Sequence, residues 1–111
     1  MSDAISVIVA DDHPLFLEGV VHSLRTADDI AVVGQAADAA GALRLAREHL
    51  ADVVLLDIAM PGSGLQAARD IATACPATKI VMLTVSEDED DLLSALKAGA
   101  SVYVLKGVSA R

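Results

Sequence analysis

Five short apolar runs recur along the chain: Ile5 to Ala10, Ile30 to Gly34, Val53 to Leu56, Ile80 to Leu83 and Val102 to Leu105. They are rich in valine, isoleucine and leucine and do not alternate with polar residues, the pattern of strands buried on both faces of a parallel sheet. Between them, apolar residues return at helical spacing. Leu17, Val20, Val21 and Leu24 share one face, as do Leu65, Ala68, Ile71, Ala72 and Cys75; Leu92, Leu93 and Leu96 mark a third helix, and Leu43, Ala46 and Leu50 a weaker one. Boundary chemistry agrees. Asp38 stands where an N-cap is needed, Ser86-Glu87-Asp88-Glu89 reads as a capping box, and Gly99 falls where a left-handed helix end is expected.

The element order is βαβαβαβαβ, which predicts an α/β fold: a doubly wound, five-stranded parallel sheet of the flavodoxin-like order 2-1-3-4-5 with helices on both faces. After the fifth strand only Gly107 to Arg111 follow, and Ser109 has the look of an N-cap, so the expectation is a domain whose final helix is missing from the chain.

Composition narrows the class. At 111 residues and 11.4 kDa the chain has the size of one domain, and 54% hydrophobic residues argue against intrinsic disorder. Sixteen acidic against eight basic side chains give a net charge of -8, which offers little electrostatic support for a nucleic-acid surface and fits cation binding or a basic partner. Charges break the apolar stretches, so no segment is long enough to span a membrane, and no secretory signal is evident. The lone Cys75 excludes an internal disulfide and is compatible with a cytoplasmic location.

In an open parallel sheet, functional groups gather at the carboxyl ends of the strands, beside the switch point in strand order. Here strand one ends in Asp11-Asp12, strand three in Asp57, strand four in Thr84 and strand five in Lys106; strand two ends at Gln35 without chemistry. Three carboxylates crowded in one crevice call for a neutralising cation, and a hard dication such as Mg²⁺ suits oxygen ligands. One of the two adjacent aspartates could instead cap the helix that opens at Pro14, although capping leaves the third acid unexplained. A carboxylate beside a dication can attack a phosphoryl group, a lysine can stabilise the transferring oxygens, and a hydroxyl can report whether a phosphate is present. His13 adjoins the acidic pair, but helix-start geometry is expected to turn it away from the metal. His22 and His49 read as surface or packing residues, and Cys75 as core.

The acidic pair, Asp57-x-x-Met60-Pro61-Gly62, the strand-end Thr84 and the strand-end Lys106 together resemble the receiver domain of bacterial two-component response regulators, over all of residues 1–111. Asp11-Asp12-His13-Pro14 and Leu83 to Leu92 are similar to the NarL/FixJ-type subfamily. The resemblance implies that Asp57 accepts a phosphoryl group from a histidine kinase or phosphotransfer protein. It also implies that Asp11, Asp12, Asp57 and the backbone carbonyl of Ala59 hold Mg²⁺, that Lys106 contacts the phosphate, and that Thr84 and Tyr103 switch on activation. It further implies a helix-turn-helix DNA-binding output domain in a longer parent. Departures from the family pattern are a Gly62-Ser63-Gly64 loop one residue shorter than usual, Ala59 without a side chain to steer water, Val85 in place of a smaller residue, and Gly107 in place of proline.

Three other functions share parts of this pattern. A Mg²⁺-dependent phosphohydrolase with an aspartyl nucleophile would place a second aspartate where Ala59 stands. A flavodoxin-like cofactor binder needs a hydroxyl-rich phosphate loop where the chain has Asp-Asp-His-Pro. A receiver acting purely by interaction would not need the full acidic set. A homodimer or domain-swapped dimer, driven by sheet surface near Val102 and Val104, is also expected.

Overall fold

The computed structural model of the chain describes residues 4–84, 93–94 and 96–105, with Tyr103 and Leu105 described by backbone alone. The elements are β1 (Ile5–Ala10), α1 (Pro14–Arg25), β2 (Ile30–Ala36), α2 (Ala39–His49), β3 (Val53–Asp57), α3 (Gly64–Ala74), β4 (Lys79–Thr84) and β5 (Val102–Leu105). All strand pairings are parallel and the sheet order is β2-β1-β3-β4-β5, the arrangement the sequence predicts. The expected capping box at Ser86 to Glu89, Leu92, Val85, Lys106, Gly107 and Ser109 lie outside the described residues. Helical backbone at residues 93–94 and 96–97 falls within the predicted crossover from the fourth to the fifth strand, where Leu92, Leu93 and Leu96 mark a helix. Among the described residues, no helix is long and apolar enough to cross a membrane.

The absence of polar alternation in the strands has a direct cause: the sheet is covered on both sides. Successive residues point to opposite faces. Ile8, Ala10, Val54, Leu56, Ile80 and Met82 pack with Ala42 and Ala46 of α2 and Ala67, Ala68 and Ile71 of α3. Val7 and Val9 face the other way, with Val21, Leu17, Val20 and Leu24 of α1 and with Val53 and Leu55. The helix faces that meet the larger cluster are built largely of alanine, which lets α2 and α3 sit close to the sheet. Val102 and Val104 of β5 remain half-exposed, at 49% and 43%.

Element boundaries follow local chemistry. Asp38 caps α2 as predicted, its carboxylate accepting the Gly41 N–H at 2.7 Å. Gly99 has the positive φ expected of it, +112°. Two sequence expectations need correction. Leu50 is not on the buried face of α2: it follows the helix at φ 48°, in the left-handed region, and is 75% exposed. The apolar stripe of α2 is instead carried by Ala42 and Ala46, so a large residue at its end is not needed for packing. Strand β2 also runs past Gly34 to Ala36, because backbone pairing of Gln35 and Ala36 with Val9 and Ala10 holds the extension without an apolar side chain at position 35.

Candidate functional site

The carboxyl ends of β1 and β3 are adjacent because β1 pairs directly with β3, with Ala10 opposite Leu56. Asp11 leaves β1 with its N–H still bonded to the Ala36 carbonyl at 3.0 Å, so its backbone is held in line with the sheet. Asp57 is the last residue of β3 and pairs with Leu83 of β4, while the next N–H, that of Ile58, bonds the Leu83 carbonyl at 3.0 Å. These ladders carry two carboxylates into the edge of the core: Asp11 is 1% exposed and Asp57 2%. Asp12 is exposed, with a carboxylate oxygen close to theirs.

The loop between β3 and α3 closes the site from one side. Its shape depends on glycine at two points. Gly62 has φ +83°, and a side chain at Gly64 would overlap the Asp57 carbonyl oxygen and come within 2.7 Å of the Ile58 α-carbon. Ser63 sits between them at φ 75°, an unfavourable conformation for a residue with a side chain, and caps α3 by accepting the Gln66 N–H at 3.2 Å. The Gly62-Ser63-Gly64 loop thus leads into a helix that is capped at its start. Ser63 three residues before Gln66 is a capping-box spacing, and that signal was available in the sequence. Ala59 follows Asp57 in this loop with its N–H 3.5 Å from Asp57 Oδ1.

Asp11, Asp12, His13 and Asp57 each present one potential ligand atom, and these four atoms all lie within 4.8 Å of one another. Two features differ from the sequence expectations. Neither aspartate caps α1: the helix begins at Pro14, the N-cap is His13, and its side chain makes no capping bond. His13 is also not turned away from the acids. Asp11 Oδ1 accepts the His13 backbone N–H at 2.8 Å and lies 2.8 Å from His13 Nδ1. The same ring nitrogen is 3.3 Å from Asp12 Oδ1 and 3.7 Å from Asp57 Oδ2. The proline at the following position favours extended backbone at His13 (φ -100°, ψ 101°), and this brings the ring back over the strand ends instead of along the helix.

Thr84, the last residue of β4, is 1% exposed and stands one residue beyond the partner of Asp57. It lies in the strand next to Asp57, as the sheet order predicts. Lys106 and the Tyr103 side chain lie outside the described residues. His22 and His49 are exposed on α1 and α2, away from this cluster, and Cys75 is buried at 6%, in the core where the sequence places it.

Three carboxylates at this spacing repel one another, and two of them have almost no contact with solvent, so a positive charge between them would relieve a real electrostatic cost. The donor set fits a dication with oxygen ligands. Among the described residues, the turn after β1 is Asp11-Asp12-His13-Pro14 and not a hydroxyl-rich flavin phosphate loop.

Comparison with known proteins agrees with the geometry. The family model for the response regulator receiver domain matches residues 7–111. A transcriptional regulatory protein of Bacillus subtilis (strain 168), YxjL, is 42% identical over 105 residues, covering 94% of this chain and 48% of that protein. The signal receiver domain of the response regulator NarL from Mycobacterium tuberculosis superposes with a TM-score of 0.92 at 39% identity, covering 96% of this chain and 87% of that one. The isolated receiver domain of RcsB from Salmonella enterica serovar Typhimurium, solved with the phosphomimetic BeF3-, gives a TM-score of 0.87 at 29% identity, with coverage of 96% and 80%. The chain spans about half the length of the curated relatives it matches. Sheet order, acidic crevice and family match converge: this chain belongs to the response regulator receiver domain family, among relatives that are transcriptional regulators of the NarL and LuxR type.

Proposed function

We propose that this domain is the phosphoacceptor switch of a two-component phosphorelay, with Asp57 as the residue modified. The observation that carries the reading is the placement of Asp57: 2% exposed at the end of β3, with Asp11 and Asp12 of the neighbouring strand end inside the same 4.8 Å cluster. A carboxylate so placed is carried by the paired backbone of β3, with Oδ2 3.7 Å from His13 Nδ1 and Oδ1 3.5 Å from the Ala59 N–H.

Asp11, Asp12, Asp57 and the Ala59 carbonyl are the groups that would hold Mg²⁺. When bound, that ion supplies charge neutralisation for the carboxylates and for the oxygens of an incoming phosphoryl group. In the transfer, an Asp57 carboxylate oxygen forms a bond to phosphorus as the bond from phosphorus to the donor's imidazole nitrogen breaks. The electron pair stays on that nitrogen, which then takes a proton from solvent. The donor is a sensor histidine kinase or a phosphotransfer protein. Lys106 would pair with the phosphoryl oxygens, and the Thr84 hydroxyl would donate to one of them. Drawing Thr84 towards the phosphate and turning Tyr103 would pass the signal to the surface around β5.

Beyond its own phosphorylation and slow dephosphorylation the domain turns over no substrate. Ala59 supports this, since it stands where an aspartyl phosphohydrolase needs its second acid. The output would be transcriptional, through a DNA-binding domain in the longer protein, as in the relatives named for gene regulation, and would operate in the cytoplasm. Val102 and Val104 offer apolar surface for a homodimer or domain-swapped dimer.

The test is labelling by a small-molecule phosphodonor such as acetyl phosphate in the presence of Mg²⁺, followed by intact mass. Wild type should gain one phosphoryl group and Asp57→Asn none. Equal labelling of the two proteins would remove Asp57 from its role.

A further inference from the structure

We infer that the His13 imidazole is a ligand of the cation at this site, through Nδ1, and that it shifts the preference of the site from Mg²⁺ towards first-row transition dications such as Mn²⁺, Co²⁺ and Zn²⁺. The inference rests on the reading of the acidic crevice as a cation site and adds a nitrogen donor to it.

The separations fit. A dication holds its ligands at about 2.1 Å, which sets neighbouring ligand atoms roughly 3.0 Å apart in an octahedron and about 3.4 Å apart in a tetrahedron. His13 Nδ1 lies 2.8 Å from Asp11 Oδ1, 3.3 Å from Asp12 Oδ1 and 3.7 Å from Asp57 Oδ2, values that bracket both edges. One nitrogen thus stands within 3.7 Å of an oxygen of all three carboxylates at once.

The ring's position is also built into the backbone. His13 is the N-cap of α1 and spends no side-chain bond on capping, while its own N–H is tied to Asp11 Oδ1 at 2.8 Å. This short turn, closed by Pro14, sets the ring over the site. At 63% side-chain exposure the ring stays in contact with solvent while its Nδ1 meets the buried Asp11 carboxylate. Mg²⁺ favours an all-oxygen shell, whereas an imidazole nitrogen suits the later first-row metals.

The direct test is pulsed electron paramagnetic resonance of Mn²⁺ bound to the unphosphorylated 111-residue chain. Nitrogen modulation from a coordinated imidazole is expected in wild type, is expected to disappear in His13→Ala, and is expected to persist in the His22→Ala/His49→Ala double variant. Calorimetric titration gives a second readout. Removing an inner ligand should weaken Co²⁺ binding at least as much as the about 10- to 100-fold typical of disturbing outer-shell partners. Mg²⁺ binding should change no more than about twofold, as expected for an ion that relies on the oxygens. A wild-type Mn²⁺ spectrum without nitrogen coupling, or equal losses for Co²⁺ and Mg²⁺, would overturn the inference. Labelling of wild type at Asp57 with Mg²⁺ is independent of these measurements: a labelled protein with no nitrogen coupling sinks the histidine ligand and leaves the receiver reading intact.

Discussion

Substitution of Asp57 by asparagine should make the metal-free domain more stable while removing its response to dications. The carboxylate is 2% exposed and its ligand atom lies within 4.8 Å of those of Asp11 and Asp12. At an effective dielectric constant of about 20, two like charges at that distance repel by roughly 3.5 kcal/mol. Solution counterions, the exposure of Asp12 and the attraction of Asp57 to partners such as the His13 ring 3.7 Å away reduce this, so a net gain of about 1–3 kcal/mol is expected from replacing a charge with a neutral group of the same shape. For a domain of this size that corresponds to a rise in melting temperature of several degrees, on a scale of about 4 °C or more per kcal/mol. Urea unfolding followed by far-ultraviolet circular dichroism, with a chelator present, measures the first part. Repeating it with Mg²⁺ measures the second: a ligand at about 100 times its Kd stabilises the native state by about 2.7 kcal/mol, and this increment should appear in wild type and be largely absent from Asp57→Asn. The two proteins should therefore approach or exchange their order of stability on adding the ion. The electrostatic account fails if the asparagine variant is the less stable protein in chelator, or if both gain equally from Mg²⁺.

Three structural substitutions test the scaffold that holds the site. Gly64→Ala should cost about 1–3 kcal/mol in urea unfolding, because the added methyl overlaps the Asp57 carbonyl oxygen and the loop must shift; dication affinity should fall with it. Ile71→Ala, at a fully buried position of α3, should cost about 2–5 kcal/mol while leaving dication affinity unchanged in calorimetry, since the cavity opens in the core beneath the sheet and not at its edge. Asp38→Ala should cost about 0.5–2 kcal/mol by leaving the Gly41 N–H without its cap, and faster amide exchange confined to the first turn of α2 would locate the loss.

Much of this molecule is legible from its residue order. Runs of valine, isoleucine and leucine without polar alternation can be satisfied in few ways other than a sheet covered on both sides, and charge placed at the ends of such runs has nowhere to go except the sheet edge. Asp11, Asp12, Asp57 and Thr84 could therefore be assigned to one edge before any coordinates, as could the cap at Asp38. Small deviations arose where backbone bonding carries a segment without help from side chains, as at Gln35 and Ala36 of β2, or where alanine suffices for packing, as on α2, which leaves Leu50 in solvent.

What required the tertiary structure was the direction of side chains at the turns. Sequence spacing places His13 beside the acidic pair but does not say whether its ring follows the helix or returns over the strand ends. The extended backbone at residue 13, the proline after it and the Asp11 carboxylate that holds its N–H decide this jointly. The need for glycine at position 64 is likewise a matter of contact between segments: only when β3 and α3 are assembled does the Asp57 carbonyl occupy the space a side chain would take. The order of hydrophobic and charged residues determined which strands form and which acids meet. The close approach of their ends determined what stands around those acids, because turn geometry depends on contacts that no local pattern contains.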